Sequence, residues 1–295
     1  MPKPHLLIAL GDHPHSGLLR AAVLTGGHTA FRFEDVRPIP KAFAPMVQRQ
    51  AYDMSEIAIV TALQAAAYDR PVILLPLVLS SRFQRKCLIG YRPRGLIDPR
   101  ELGGRTVGVR AFTQTTGMWV RAALYEDYGL EPTAMRWRTQ EPAHVQEYIE
   151  PAFVEHDTTN KSLPDQLRDG DLPAAVMGMD LPDDPTFAPL IPDPEAADRA
   201  SYVRLGFMPI NHMVAVSVRA AKRAPEAIRL AYRLLAKGIE ESDLPQGAPR
   251  SAVADYDAVE ASTAYAIEEA YRQHLIPARI SVKDLFQHSR RLLNI

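Results

Sequence analysis

The chain has 295 residues, with 34 Lys and Arg against 35 Asp and Glu, a formal net charge of −1 at pH 7. Nearly cancelling charge, and no basic run interleaved with aromatics, argue against a nucleic-acid partner. The single cysteine, Cys87, excludes an intramolecular disulfide, and an amino-terminal apolar run too short for a signal-peptide core or a bilayer span implies a cytoplasmic protein with no membrane partner. A chain of this length holds two modest domains around a substantial core.

In chain order, His5 to Leu10 reads as a buried strand, followed by the loop Gly11 to Gly17 and a short helix from Leu18. Phe31 to Val36 alternates as a second strand, and Lys41 to Gln50 suits a helix. Ser55 reads as the N-cap of a helix running from Glu56 towards Tyr68. Pro71 to Leu79 is nearly continuously apolar, the pattern of a strand covered on both faces. An extended stretch from Lys86 to Arg92 and a turn-rich segment through Pro99 lead to Gly104.

Gly104 to Gly129 is the most informative stretch. Arg105 to Arg110 reads as a strand ending in a loop. The period then changes: Met118, Ala122 and Tyr125 recur at helical spacing, Thr115 or Thr116 serves as N-cap, and Gly129 takes the left-handed position that ends the helix. The intervening Thr113–Gln114–Thr115–Thr116 puts hydroxyls and an amide beside free backbone N–H groups. Such a turn serves either as a helix cap or as a seat for a carboxylate or phosphate.

Met135 to Arg138 follows as a short strand, and Ser162–Leu163–Pro164–Asp165 as a helix start that Gly170 closes. Ala174 to Met179 is a strand, Asp180 to Ala200 a Pro- and Asp-rich loop, Met213 to Val218 a strand, and Pro225 to Glu240 and Tyr256 to His274 are helices. Strand–helix alternation without repeats predicts parallel sheets of the α/β class.

The order of these pieces resembles the type II periplasmic-binding-protein fold, and within it the 4,5-dihydroxyphthalate decarboxylase family. The matching pieces are Gly11–Asp12, Tyr52–Asp53–Met54–Ser55–Glu56, Ser81–Arg82–Phe83, Leu102 to Val109, Gln114–Thr115 with Trp119, Glu126–Tyr128–Gly129, and Met208 to His212. The resemblance implies two lobes, residues 1–95 with 205–295 and residues 96–204, joined by crossings near Lys86–Arg100 and Tyr202–His212, with a ligand cleft between them. Two departures bear on which carboxylate is recognised. The first loop is His13–Pro14–His15–Ser16–Gly17 rather than arginine-rich, and Lys86 or Cys87 stands where the family tends to have a histidine.

The implied activity is cofactor-independent decarboxylation of a hydroxylated aromatic acid, the small-molecule partner, by ring protonation and loss of carbon dioxide. His212, with an ordinary pKa of about 6.5, suits the proton donor; Glu56 or Asp12 would bind a substrate hydroxyl and accept its proton. Arg82 can grip a carboxylate with two parallel bonds, beside His13, Ser55, Ser81, Thr113, Gln114, Thr115, Thr116 and Asn211. Trp119 is either core packing or an aromatic wall of the cleft. The spacing of Asp12, His13 and His15 matches no zinc pattern, so no metal is expected. A non-catalytic carboxylate-binding protein and another intracellular enzyme on the same scaffold are the alternatives, and the long carboxy-terminal helices suit either lobe cover or a homodimer.

Overall fold

The computed structural model describes residues 6–24, 31–178, 181–242 and 248–294; His5, Met179 and Asp180, read above as parts of two strands and a loop, lie outside them. The chain first lays down β1 (Leu6–Ala9), α1 (Gly17–Leu24), β2 (Phe31–Phe33), α2 (Phe43–Arg49), β3 (Met54–Ala58), α3 (Ile59–Ala67) and β4 (Val72–Ser81). It then builds a second unit from β5 (Leu88–Tyr91), β6 (Thr106–Val109), α4 (Thr115–Tyr128), β7 (Arg136–Thr139), β8 (Val154–His156), α5 (Leu163–Asp169), β9 (Ala174–Val176), β10 (Phe187–Pro189) and α6 (Pro194–Leu205). It returns through β11 (Ile210–Ser217), α7 (Val218–Arg223), α8 (Pro225–Glu240), β12 (Val253–Ala254), α9 (Tyr256–Arg272) and α10 (Val282–Leu293).

The strands form two six-stranded sheets, in the orders β12-β4-β11-β3-β1-β2 and β10-β5-β9-β6-β7-β8. Both are mixed rather than parallel. In the first, β1 runs parallel to β2 and β3, whereas β11 lies antiparallel between β3 and β4. It runs the other way because it enters the sheet from the far lobe. In the second, β6 is parallel to β7 and β9, and β5 and β10 complete an antiparallel edge.

Three local expectations change. Ser55 and Glu56 lie inside β3, not at a helix start, and the helix begins at Ile59. Lying between β1 and β11 with every residue buried, β3 is a central strand, and the sheet outweighs the local capping signal. The Pro- and Asp-rich stretch contains β10 and α6; Asp193 accepts from the Ala196 N–H and Pro194 fills the first helical position, so this punctuation starts a helix. Finally, β5 pairs in the second sheet although it falls within 1–95, which moves the first crossing to residues 82–87.

One apolar cluster joins the lobes, bringing Ile57, Val60 and Leu63 together with Val107, Trp119, Val176 and Ile210. A second covers the opposite face of the first sheet, packing Ile8, Leu75 and Val214 against Ile228 and Leu235 of α8. The loops at the carboxyl ends of β1, β3, β4, β6 and β9 are thereby held on one shared core.

Candidate active site

The site is built on Glu56. Its side chain is fully buried, and both carboxylate oxygens are occupied. Oε2 accepts the Gly11 N–H at 2.8 Å and lies 2.9 Å from Nε2 of His13, while Oε1 lies 2.6 Å from Nδ1 of His212. Burial alone would push the carboxyl upward, but hydrogen bonds from His13 and His212 outweigh it and hold Glu56 well below the usual carboxylate range. The imidazoles themselves are 20% and 18% exposed, so they stand between the buried charge and solvent.

Three strands set this geometry. Glu56 follows Ser55, which pairs with Ala9 of β1, so the Gly11 loop passes directly over the carboxylate. Across the sheet His212 is in register with Ala58 on one side and Ser80 on the other. A Cβ at residue 11 would lie 3.0 Å from Glu56 Oε2 and 3.1 Å from His13 Nε2, which explains a glycine there. The His13 ring stacks on His15 at 5.0 Å. Phe43 meets His212 edge-on at 5.1 Å and His144 at 6.1 Å.

A second group lies where the chain leaves β4. The Arg82 backbone N–H donates to the Pro209 carbonyl at 3.1 Å, fixing it beside the start of β11. Its Nη2 donates to Thr116 Oγ1 at 3.0 Å, in the first turn of α4. Nε of Arg82 is buried and has no hydrogen-bond partner among the described residues. A Cβ at residue 178 would lie 2.9 Å from Arg82 Nη2, so Gly178, just beyond β9, leaves room for the guanidinium. An arginine, a hydroxyl and a helix start are groups of the kind that can hold an anion.

The other candidates separate. Asp12 turns outward at 68% exposure and pairs with Arg20 and Arg37 instead of joining Glu56. Asn211 accepts from Gln84 in the interior because alternation sends it to the face opposite His212. Trp119 is core packing: its indole N–H donates to the Ile210 carbonyl and its ring stacks on Tyr265 at 6.1 Å. Ser55 is buried and donates to the Glu56 carbonyl, and Ser81 is buried beside Ile210. Gln114, not Thr115 or Thr116, is the N-cap residue of α4 and makes no side-chain cap bond, while its Oε1 is buried without a partner among the described residues. Thr115 Oγ1 faces the Val60 N–H at 3.5 Å, and Thr113 is buried in the same turn. Two surface grooves of about 670 and 470 Å³ open elsewhere and include none of these residues.

Gly11 was visible in the sequence as part of Gly11–Asp12 after the first strand. Gly178, Phe43 and His144 carried no local signal, since their roles depend on contacts across the fold. Among the described residues no cluster of His, Cys, Asp and Glu has the form of a metal site. No helix among them is long and apolar enough to cross a membrane.

No family model matches the chain. It is 25% identical over 240 residues to 4,5-dihydroxyphthalate decarboxylase of Comamonas testosteroni, covering 76% of this chain and 72% of that protein. It is likewise 25% identical over 190 residues to the Pseudomonas putida enzyme of the same name, covering 60% and 71%. The chain is a distant homologue of 4,5-dihydroxyphthalate decarboxylase. Its fold is that of the periplasmic-binding proteins. The alkanesulfonate-binding protein SsuA from Xanthomonas axonopodis pv. citri, bound to MOPS, superposes with a TM-score of 0.57 at 13% identity, over 97% of this chain and 99% of that one. The SsuA protein from Escherichia coli gives 0.56 at 11%, over 96% and 92%. A DSZB mutant in complex with biphenyl-2-sulfinic acid gives 0.55 at 12%, over 98% and 99%.

Proposed function

We propose that the protein is a cofactor-independent carboxy-lyase acting on a hydroxylated aromatic carboxylic acid bound between the lobes. The observation that carries this reading is the Nδ1 contact of His212 with Glu56 at 2.6 Å, which dedicates one ring nitrogen to a buried carboxylate and leaves Nε2 for the substrate. A carboxylate so placed fixes the orientation of the ring, as a general acid requires. Arg82 and the first turn of α4 hold the substrate carboxylate, so that binding energy sets the geometry of proton delivery. His212 gives a proton to the ring carbon bearing the departing carboxylate, forming a C–H bond. The C–C bond to that carboxylate then breaks, carbon dioxide leaves, and the electron pair restores the aromatic ring.

The test is incubation with dihydroxybenzoates and dihydroxyphthalates while carbon dioxide and the decarboxylated phenol are measured. Turnover that disappears in His212→Gln supports the reading. Tight binding of one of these acids with no turnover overturns it and favours a second reading, a solute-binding protein. The superposition on two sulfonate-binding proteins over nearly the whole chain is the observation on that side.

A further inference from the structure

We infer that His13 is a second catalytic group, which takes the proton of a ring hydroxyl while His212 delivers one to the ring carbon, with Glu56 joining the two imidazoles. This rests on the decarboxylase reading and narrows its substrate to acids with a hydroxyl ortho or para to the departing carboxylate. Glu56 cannot itself meet that hydroxyl. Its side chain is fully buried, Oε2 is shared by Gly11 and His13, and Oε1 is taken by His212.

The two imidazoles are equivalent in a way that one donor would not require. Each spends one nitrogen on its own oxygen of Glu56, His13 through Nε2 and His212 through Nδ1. The second nitrogen of each ring, Nδ1 of His13 and Nε2 of His212, has no hydrogen-bond partner among the described residues, and both rings reach solvent at similar exposure, 20% and 18%. A buried carboxylate balances one imidazolium, whereas two imidazolium ions around it would leave a net positive charge in a medium that penalises it. A proton taken up at one imidazole while the other gives one up leaves the net charge of the triad unchanged. The buried ring of His15, stacked on His13, holds that ring in place.

The bonds balance as follows. The substrate O–H breaks and an N–H forms at His13 Nδ1. The oxygen electron pair moves into the ring, and the proton on His212 Nε2 forms the new C–H bond, leaving a dienone. The bond to the carboxylate breaks, carbon dioxide leaves, and the pair returns through the ring to the oxygen, which recovers its proton from His13. His212 is reprotonated from water, the one proton that the reaction consumes. Only a hydroxyl ortho or para to the reacting carbon is conjugated with it in this way.

The experiment compares 4,5-dihydroxyphthalate with its 4,5-dimethoxy ether in the wild-type protein and in His13→Gln and His13→Asn, following carbon dioxide and ring deuteration in deuterium oxide. Wild type is expected to decarboxylate the dihydroxy acid and to leave the ether essentially untouched. The two variants are expected to lose about 10²- to 10⁴-fold in kcat on the dihydroxy acid, with KM within a few-fold of wild type and melting temperatures that show them folded. Turnover of the ether by wild type at the rate of the dihydroxy acid, or a folded His13 variant keeping kcat within about threefold, overturns the role of His13 while decarboxylation stands. Wild-type inactivity on every hydroxylated acid removes the decarboxylase reading, and His13's role with it.

Discussion

Gly238 of α8 faces the backbone carbonyl of His15 so closely that a Cβ at residue 238 would come within 2.1 Å of that oxygen. The contact presses α8 against the turn that carries His13, and both contacting groups belong to the framework. Backbone against backbone cannot be relieved by a rotamer change. Gly238→Ala is expected to destabilise the protein by about 2–3 kcal/mol, as overpacking does. It should also lower turnover by displacing His13. Chemical denaturation and steady-state kinetics on the same preparation check both effects.

Gly178 and Arg82 behave differently, because the atom that a new Cβ would meet is the far end of a flexible side chain at 2.9 Å. Gly178→Ala should leave the melting temperature nearly unchanged and raise KM for the carboxylate, since Arg82 must leave Thr116. Arg82→Ala removes a charged hydrogen-bond donor, and the expected loss of carboxylate affinity is about 1.5–3 kcal/mol, roughly ten- to a hundredfold. Calorimetric titration with an aromatic dicarboxylate measures it.

Arg121 is fully buried in α4 and makes no ion pair among the described residues. Its Nε donates to Gln273 Oε1 at 2.6 Å and its Nη2 to the Phe112 carbonyl at 2.8 Å, while the Phe112 ring lies 4.1 Å from the guanidinium carbon. Burial pushes this guanidinium down to about 9, so it remains charged at neutral pH. Arg121→Met would strand two buried acceptors and is expected to cost about 2–4 kcal/mol. Arg121→Lys should not restore stability, because an ammonium lacks the planar fork that spans both acceptors. Thermal unfolding of the two variants decides this.

Burial, reinforced by the charge of Arg110, pushes His144 down to about 4, and its Nδ1 lies 2.9 Å from Thr61 Oγ1. The unfolded chain, with an ordinary histidine near 6.5, binds this proton first. Stability from a neutral His144 is therefore present above about pH 6.5 and is lost as pH falls towards about 4, by roughly 2–3 kcal/mol across the interval. His144→Asn should unfold with a shallower pH dependence than wild type over that window. Equal slopes in denaturation series at pH 4.5, 5.5 and 6.5 would contradict the assignment.

The layout of the chain was legible because it depends on local signals. Hydrophobic period distinguishes strands from helices, and Gly129 and Gly170 end α4 and α5 in the left-handed conformation at φ 68° and 83°. The turn before α4, Arg82 after a long apolar strand, and His212 near the start of a return strand were all readable as polar residues at strand ends. Glu56 was readable only as an ionisable residue. Its local context favours a helix start, and nothing nearby in sequence shows that donors 43 to 156 residues away converge on it.

By itself the sequence determined the α/β class and the loops that carry polar side chains, since these follow from periodicity and chain order, while the out-and-back path between two lobes was implied by the resemblance to the type II periplasmic-binding-protein fold. Only the tertiary structure decided which of those side chains meet. Neighbouring residues on a strand face opposite ways, so the register of β11 against β3 and β4 sends His212 to Glu56 and Asn211 to Gln84. The same holds for the first loop, where Asp12 turns to Arg20 and Arg37 in solvent while Gly11 and His13 close over the buried carboxylate. A burial this complete is stable only where three donors arrive together, and their arrival is a property of the folded sheet.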